Sequence, residues 1–80
     1  MAIKKAVVTR LKQICNQKNI TLNALANLSG LTPSTVYSMM DVNRKDIGIV
    51  AIKKLCDGLD ISIIEFFDTE LFRTLEQELK

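Results

Sequence analysis

The chain has 80 residues, of which 48% are hydrophobic and 25% are charged, and its formal net charge is +2. This length suits one domain with a modest core and argues against an enzyme with a deep pocket beside that core, while the hydrophobic content argues against a disordered chain. Residues 1–54 hold nine of the 11 basic residues and two of the nine acidic ones, so a basic part precedes an acidic part.

The chain has no segment with the features of a membrane span or an export signal. The apolar runs at 47–52 and 61–67 are far too short to span a bilayer. The N-terminal residues MAIKKAVVTR have neither the apolar core nor the cleavage site of a signal peptide. We therefore expect a cytoplasmic protein without a membrane partner.

A first helix is predicted from about Lys4 to Lys18, because apolar residues recur there at helical spacing, namely Val7, Leu11, Ile14 and Cys15. Cys56 lies in a similar pattern further along the chain. Both cysteines are therefore expected to be buried, reduced thiols rather than a disulfide. The chain has no histidine and no metal-ligand spacing, so neither a metal nor another cofactor is expected.

A second helix is predicted to begin at Leu22, where the side chain of Thr21 can accept hydrogen bonds from the first amides. Three leucines then fall on one side of this helix, namely Leu22, Leu25 and Leu28. Ala26 lies beside them, and its small side chain lets another helix approach closely. Gly30 can take the left-handed conformation that ends a helix and redirects the chain.

A third helix is predicted almost at once, with Thr32 as its N-cap and Pro33 at its first position. Its apolar face consists of Val36, Met39 and Met40. The outer face carries polar or amphipathic residues, namely Ser34, Thr35, Tyr37, Ser38 and Asp41. Two short helices joined so closely should cross steeply, so residues 22–41 have the pattern of a helix-turn-helix, a motif that most often binds DNA.

Three further segments complete the chain. Residues 41–46 have the composition of a polar loop, and apolar residues at helical spacing predict a fourth helix over 49–59, weakened near its end by Gly58. Ser62 and Glu65 form a capping box for a short fifth helix. A last amphipathic segment carries an apolar stripe, namely Leu71, Phe72, Leu75 and Leu79.

At these residues the chain resembles the lambda-repressor-like, Cro-type helix-turn-helix proteins, also called the XRE family. The residues that carry the resemblance are Leu25-Ala26, Gly30-Leu31, Thr32, Val36 and Met39 in the motif, and Arg10-Leu11-Lys12, Ile49 to Leu59, Ile61-Ser62 and Glu65-Phe66-Phe67 outside it. The resemblance covers roughly residues 7–67. It implies an all-α fold, with a compact five-helix lambda-repressor-like DNA-binding domain over residues 1–68 and an additional short C-terminal amphipathic helix within residues 69–80.

In the resembling family the N-terminal part of the second motif helix reads base edges in the major groove. Carried over to this chain, the base-reading candidates are Pro33, Ser34, Thr35, Tyr37 and Ser38. This helix has no Arg, Gln or Asn for bidentate bonds to bases, so discrimination would come from hydroxyls, thymine-methyl contacts, bridging water and DNA shape. The alternative is that Ser34 and Thr35 only start the helix and that Tyr37 covers a packing seam.

Phosphate contacts are expected from other residues. Amides at the helix starts near Leu22 and Ser34 can hold phosphate oxygens, and the family commonly places backbone contacts in the loop after the reading helix. The candidates for DNA backbone contacts are Thr21, Asn27, Thr32, Asn43, Arg44 and Lys45, with the last two ranked first. The alternative for those two is an ordinary solvated charge. The basic part of the chain would orient such a domain toward a polyanion.

A helix with so few base contacts would discriminate poorly on its own, because each mismatched base pair costs only about 1–3 kcal/mol. Dimerisation would compensate by doubling the number of contacts. A two-fold dimer would read a palindrome whose half-sites lie about 34–36 Å apart, or multiples of that. The candidates for the contact are Ile61, Ile63, Ile64, Phe67, Leu71, Phe72, Leu75 and Leu79. The alternative is that these residues close the protein's own core, which is favoured for Phe67 and left open for the terminal stripe.

Three classes of function can be considered for such a domain. The first is a sequence-specific DNA-binding transcriptional regulator, a repressor that binds a palindromic operator in double-stranded DNA as a homodimer. The second is an interaction module, such as an antitoxin or anti-repressor, whose C-terminal helix holds a protein partner and whose own DNA binding is weak or absent. The third, an enzyme, lacks support, because no Gly-rich phosphate loop and no Ser or Cys with an evident base is present. We expect the first.

Overall fold

The computed structural model describes residues 1–44 and 46–79, and these residues form six helices and no strand. The helices are α1 (Ile3–Lys18), α2 (Leu22–Ser29), α3 (Pro33–Met40), α4 (Ile49–Leu59), α5 (Ile63–Phe67) and α6 (Glu70–Arg73). The predicted all-α fold, with five helices and a short helix after them, is confirmed. Across the described part of the chain, no helix combines the length and the apolar character that crossing a bilayer requires.

Side-chain oxygens fix the starts of three helices. The hydroxyls of Thr21 and Thr32 each accept a hydrogen bond from the amide three residues further on, at 3.1 and 3.2 Å. Ser62 accepts the same bond from the amide of Glu65 at 3.0 Å. Because the first amides of a helix have no partner within it, these oxygens determine where α2, α3 and α5 begin.

The turn between α2 and α3 depends on Gly30, which takes the left-handed conformation with φ 68°. The amide of Leu31 then reaches back to the carbonyl oxygen of Ala26 at 3.0 Å. This bond satisfies a carbonyl that the end of α2 would leave unpaired. A glycine adopts this backbone conformation at little steric cost, so α3 can begin at Pro33 without an intervening loop.

A single cluster of buried side chains joins the first five helices. It comprises Val7, Leu11, Ile14, Cys15, Leu25, Ala26, Val36, Met39, Ile52, Leu55, Cys56, Leu59 and Phe66. The two cysteines in it are free, as predicted. Burial raises the pKa of both thiols, so they stay protonated and unreactive at neutral pH.

The closest approach between α2 and α4 occurs at Gly58. A Cβ atom at this position would collide with Oγ of Ser29 and would lie 3.0 Å from the carbonyl carbon of Leu28 and from the amide nitrogen of Ser29. Gly58 is therefore needed for helix packing, although glycine lowers the intrinsic stability of α4 at this position.

Within the predicted apolar patterns of α2 and α4, two residues are exposed rather than buried. Leu28 and Ile49 are both exposed. On α2 the buried face is formed by Leu25, Ala26 and Ser29, and a residue at position 28 is rotated away from that face. Ile49 is the first residue of α4, so no preceding helical turn covers its side chain.

Arg10 connects α1 to the C-terminal end of α5. Its Nε donates a hydrogen bond to the carbonyl oxygen of Phe66 at 2.8 Å, and its Nη2 donates to that of Glu65 at 3.0 Å. The last carbonyls of a helix lack partners within it and carry partial negative charge, so a guanidinium suits them well. Arg10 is thus a structural residue, although it belongs to the basic part of the chain.

The C-terminal segment packs on the domain through Phe72. The ring of Phe72 lies 4.8 Å from that of Phe67 and 6.0 Å from that of Phe66, measured between ring centroids. Phe66 and Phe67 are in turn 4.9 Å apart with an edge-to-face geometry. This aromatic trio holds α6 against the core.

The terminal helix is shorter than predicted. The apolar stripe that extends to Leu79 implied a longer helix. α6 ends at Arg73, and the described residues after it are not helical. The amide of Glu76 instead donates to the carbonyl oxygen of Met1 at 3.1 Å, and Leu79 is 88% exposed. A segment this short forms a helix only where it packs, and beyond Phe72 the chain lacks such packing.

Candidate nucleic-acid interface

α2 and α3 form a helix-turn-helix whose inner faces are fixed in the core. Leu25, Ala26 and Val36 have no exposed surface, and Met39 is also buried. With that side of α3 held inside, its opposite side faces solvent. The base-reading candidates on this outer face are arranged accordingly: Pro33, Ser34, Thr35 and Tyr37 are exposed, and Ser38 is half-buried.

Three hydroxyl groups meet at the start of α3. Oγ1 of Thr32 lies 2.8 Å from Oγ1 of Thr35 and 3.3 Å from Oγ of Ser34. A hydroxyl can donate one hydrogen bond and accept two. The hydroxyl of Thr32 uses all three in these contacts and in the bond from the Thr35 amide, whereas those of Ser34 and Thr35 retain capacity for a DNA base or phosphate. Their mutual bonds hold them in one arrangement before any ligand arrives.

Tyr37 extends the outer face of α3 with a large amphipathic ring. It is 54% exposed and is the chain's one tyrosine. The exposed part of the ring can stack on or hydrogen-bond to a ligand lying along this face. The covered part is compatible with the packing role that the sequence also allowed.

Asp41 organises the loop that carries the predicted phosphate contacts. Its carboxylate accepts from the amide of Asn43 at 2.9 Å, and its carbonyl oxygen accepts from the amide of Arg44 at 3.1 Å. The guanidinium of Arg44 lies 3.9 Å from the same carboxylate, and both side chains are largely exposed. Such a surface pair is weak, so Arg44 can turn toward a phosphate at little cost.

The other phosphate candidates are exposed residues of the helix starts, of α2 and of the loop after α3. Thr21, Asn27, Thr32 and Asn43 are all exposed, and Thr21 and Thr32 sit where the amides at the start of α2 and α3 point outward. Lys45 lies outside the described residues. The two threonine hydroxyls already serve as N-caps, so their phosphate contacts would add to an existing structural role.

The candidates for dimerisation fall into two groups in the structure. Ile64 is 79% exposed on α5, with Ile61, Ile63 and Phe67 half-buried around it. In the C-terminal segment, Leu71, Phe72 and Leu75 are half-buried and Leu79 is exposed. Each group contributes one ring to the aromatic trio, Phe67 from the first and Phe72 from the second, and Ile64 is the exposed apolar residue of the first group.

Two basic residues have structural roles that the sequence did not indicate. Arg10 is among the residues that carry the family resemblance, and the structure shows that it binds the carbonyl oxygens of α5. Lys4 marks the predicted start of the first helix, and the structure buries its side chain. A basic residue within the first helical turn of an otherwise apolar pattern gives no sequence signal of such burial.

The fold and the exposed α3 define a helix-turn-helix domain. Residues 10–71 match the model of the Cro/C1-type helix-turn-helix DNA-binding domain, and the chain belongs to this family. The resemblance predicted from the sequence is thereby confirmed, and DNA-binding transcription regulation is the supported class of function.

Solved structures share the fold of this chain. The chain is similar to the prophage Lp1 protein 11, with a TM-score of 0.82 and 34% identity over 94% of this chain and 100% of that chain. It is also similar in fold to the wild-type restriction-modification controller protein C.Esp1396I, with a TM-score of 0.78 and 23% identity over 91% of this chain and 92% of that one. The comparison with curated proteins gives no match.

Proposed function

We propose that the protein is a transcriptional repressor that binds a palindromic operator as a homodimer, with α3 in the major groove. The observation that carries this proposal is the outer face of α3, which is exposed and bears small hydroxyl side chains beside Tyr37. Small side chains let a helix settle into a groove about 12 Å wide. A protein that acts on operator DNA in this way would work in the cytoplasm.

The charge distribution supports the same orientation. The first 54 residues contain the helix-turn-helix and nine of the 11 basic residues, whereas the remaining residues contain seven of the nine acidic ones. The field of such a molecule turns its basic side toward DNA and its acidic side away. Arg44 and Asn43, which are exposed in the loop after α3, would contact phosphates in this arrangement.

Selection of bound sequences from random DNA duplexes at moderate salt tests the proposal. We expect recovery of a palindrome whose half-sites lie about one helical turn apart, or a multiple of it. Flat and weak binding to every sequence would contradict a sequence-specific repressor. Binding to a single, non-repeated site would instead contradict the homodimer.

The hydroxyls of α3 should matter for discrimination more than for overall affinity. The double variant Ser34→Ala, Thr35→Val should bind the selected site about tenfold more weakly or worse, because two hydrogen bonds are lost. Binding to a scrambled duplex should change little. Thr32 still accepts the Thr35 amide in this variant, so the helix should persist, and circular dichroism provides that control.

Arg44 should contribute to affinity without contributing to specificity. The variant Arg44→Ala should bind all duplexes more weakly and reduce the slope of log affinity against log salt by about one, as expected for one lost phosphate contact. Arg73→Ala is the matched control, because it removes the same charge from the acidic part of the chain. A slope that is unchanged in Arg44→Ala, or lowered equally in both variants, would contradict the assignment.

The apolar face around Ile64 should hold the two copies together. Replacing Ile64 with aspartate should shift the protein from dimer to monomer in analytical ultracentrifugation, because a buried unpaired carboxylate is costly at an interface. Leu79→Asp adds the same charge to an equally exposed apolar residue outside this face. A dimer that survives Ile64→Asp, or that is lost in Leu79→Asp alone, would place the interface elsewhere.

A second function is favoured by the same apolar face. An interaction module, such as an antitoxin or anti-repressor, would use Ile64 and its neighbours or the C-terminal segment to hold a different protein. The duplex selection separates the two functions, because such a module would recover no defined site. Its purified form would also stay monomeric until it meets that partner.

A further inference from the structure

A small cavity lies on the side of the domain where α1, the loop before α4 and the end of α5 meet. Its volume is about 270 Å³. Its apolar walls are formed by Ile3, Val7, Ile47, Ile52 and Phe67. This volume lies just below the range of about 300–1,000 Å³ that is usual for pockets binding small molecules, so it suits a short ligand.

The ammonium group of Lys4 borders this cavity without a partner of its own. Lys4 is 9% exposed, and its Nζ has no hydrogen-bond partner among the described residues. Asp46 also lines the cavity, but the ion pairs of the described residues do not include one between Asp46 and Lys4. An ammonium that is withdrawn from water and left unpaired is costly, so a bound anion would stabilise it.

The lowered pKa of Lys4 supports the view that its ammonium has lost hydration. Burial is the largest influence and lowers the pKa of its ammonium; the charges of Asp41 and Asp46 oppose that shift, and the charge of Arg44 adds to it. A positive group that has lost its hydration gains more from an opposite charge than one in water does. The four-carbon stem of lysine can rotate the ammonium toward the cavity as a ligand enters.

The two charged residues and the apolar walls together restrict the ligand. A cation would be repelled by Lys4, and a neutral apolar molecule would leave the ammonium unpaired. The carboxylate of Asp46 would repel a phosphate dianion more strongly than a monoanion, and phosphate would make no use of the apolar walls. We propose that the cavity binds a small amphipathic monocarboxylate, whose carboxylate pairs with Lys4 and whose apolar chain of roughly six to ten non-hydrogen atoms lies against Ile47, Ile52 and Phe67.

This site lies beside the loop that carries Arg44, whose charge acts on Lys4, but its test requires no DNA. Octanoate is the probe, added to the full chain while amide shifts are followed by NMR. We expect saturable shifts that cluster around Lys4, Ile47 and Ile52. Acetate lacks the apolar chain and octyltrimethylammonium lacks the negative charge, so neither should produce saturable shifts at these residues.

Two variants separate the buried lysine from its exposed neighbour. Lys4→Met should weaken octanoate binding at least tenfold, whereas Lys5→Met, which removes the same charge from an exposed side chain, should leave binding unchanged. Lys4→Met should also raise the melting temperature, because an unpaired buried ammonium is replaced by an apolar group of similar length.

Several results would overturn the proposal. One is equal octanoate binding in Lys4→Met and in the unaltered protein. Another is equal binding of octanoate and octyltrimethylammonium, which would indicate non-specific adsorption to an apolar surface. If Lys4→Met does not fold, the map of shifts in the unaltered protein decides, and shifts that lie away from the cavity contradict the site.

Discussion

Replacing Gly58 with leucine should lower the free energy of unfolding by about 3 kcal/mol, because the new side chain must push α2 and α4 apart. The Cβ atom alone would lie 3.0 Å from two backbone atoms of α2, which cannot rotate away as a side chain can. Leucine is a better helix former than glycine by less than about 1 kcal/mol, so the collision outweighs this gain. For a domain of this size the melting temperature should fall by about 12–24 °C.

Gly48 provides a matched control for Gly58. It is the N-cap of α4, and a Cβ atom there would meet nothing within 4 Å. Gly48→Leu should therefore cost no more than about 1 kcal/mol, which is the loss expected at an N-cap. If thermal unfolding shows equal losses for the two variants, the close approach of α2 and α4 at Gly58 is not what makes that glycine necessary.

Replacing Arg10 with methionine should lower the free energy of unfolding by about 2–4 kcal/mol. The variant keeps an unbranched apolar stem but removes two charge-assisted hydrogen bonds to the carbonyl oxygens of Glu65 and Phe66. Each such bond contributes about 1.5–3 kcal/mol, and the bond to Phe66 is partly buried. Urea unfolding followed by circular dichroism measures the change.

Lys12→Met is the control for Arg10, because Lys12 is exposed on the same helix. Its loss should change stability by less than about 0.5 kcal/mol. Arg10→Lys should lie between the two variants, since an ammonium cannot span two carbonyls as the guanidinium fork does. Equal stability of Arg10→Met and Lys12→Met would show that the bonds from Arg10 to α5 contribute nothing.

The helix order was predictable because the signals for it are local. Apolar spacing marks α1 and α4, and the caps at Thr21, Thr32 and Ser62 mark the starts of α2, α3 and α5. Each of these signals acts within a few residues, so a single sequence suffices to detect it. The outer face of α3 was predictable for the same reason, since its inner face is apolar at spacings of three and four.

The features that the sequence did not predict depend on contacts distant along the chain. Arg10 meets its partner on α5 56 residues later. A glycine is needed at position 58 because the backbone of α2 packs against it. Lys4 is buried because the first turn of α1 packs near the loop before α4. The end of α6 depends on where the packing of Phe72 stops. No local sequence pattern predicts these contacts, because they depend on how the helices pack against one another.

The base and phosphate contacts remain predictions. The sequence places Ser34, Thr35 and Tyr37 on an exposed helix face, and the structure agrees with that exposure. Contact with a base depends on the position of a DNA duplex and of a second copy of the chain. Both are properties of a complex, so the geometry of one chain constrains them only in part.

The exposed ring of Tyr37 gives the protein an optical property of practical value. The chain has one tyrosine and no tryptophan, so nearly all of its intrinsic ultraviolet fluorescence comes from a single ring on α3. That ring is 54% exposed, and its emission therefore reports on the surroundings of this helix alone. Ligands that cover α3 and ligands that enter the cavity beside Lys4 can be told apart by emission intensity, without attaching a dye.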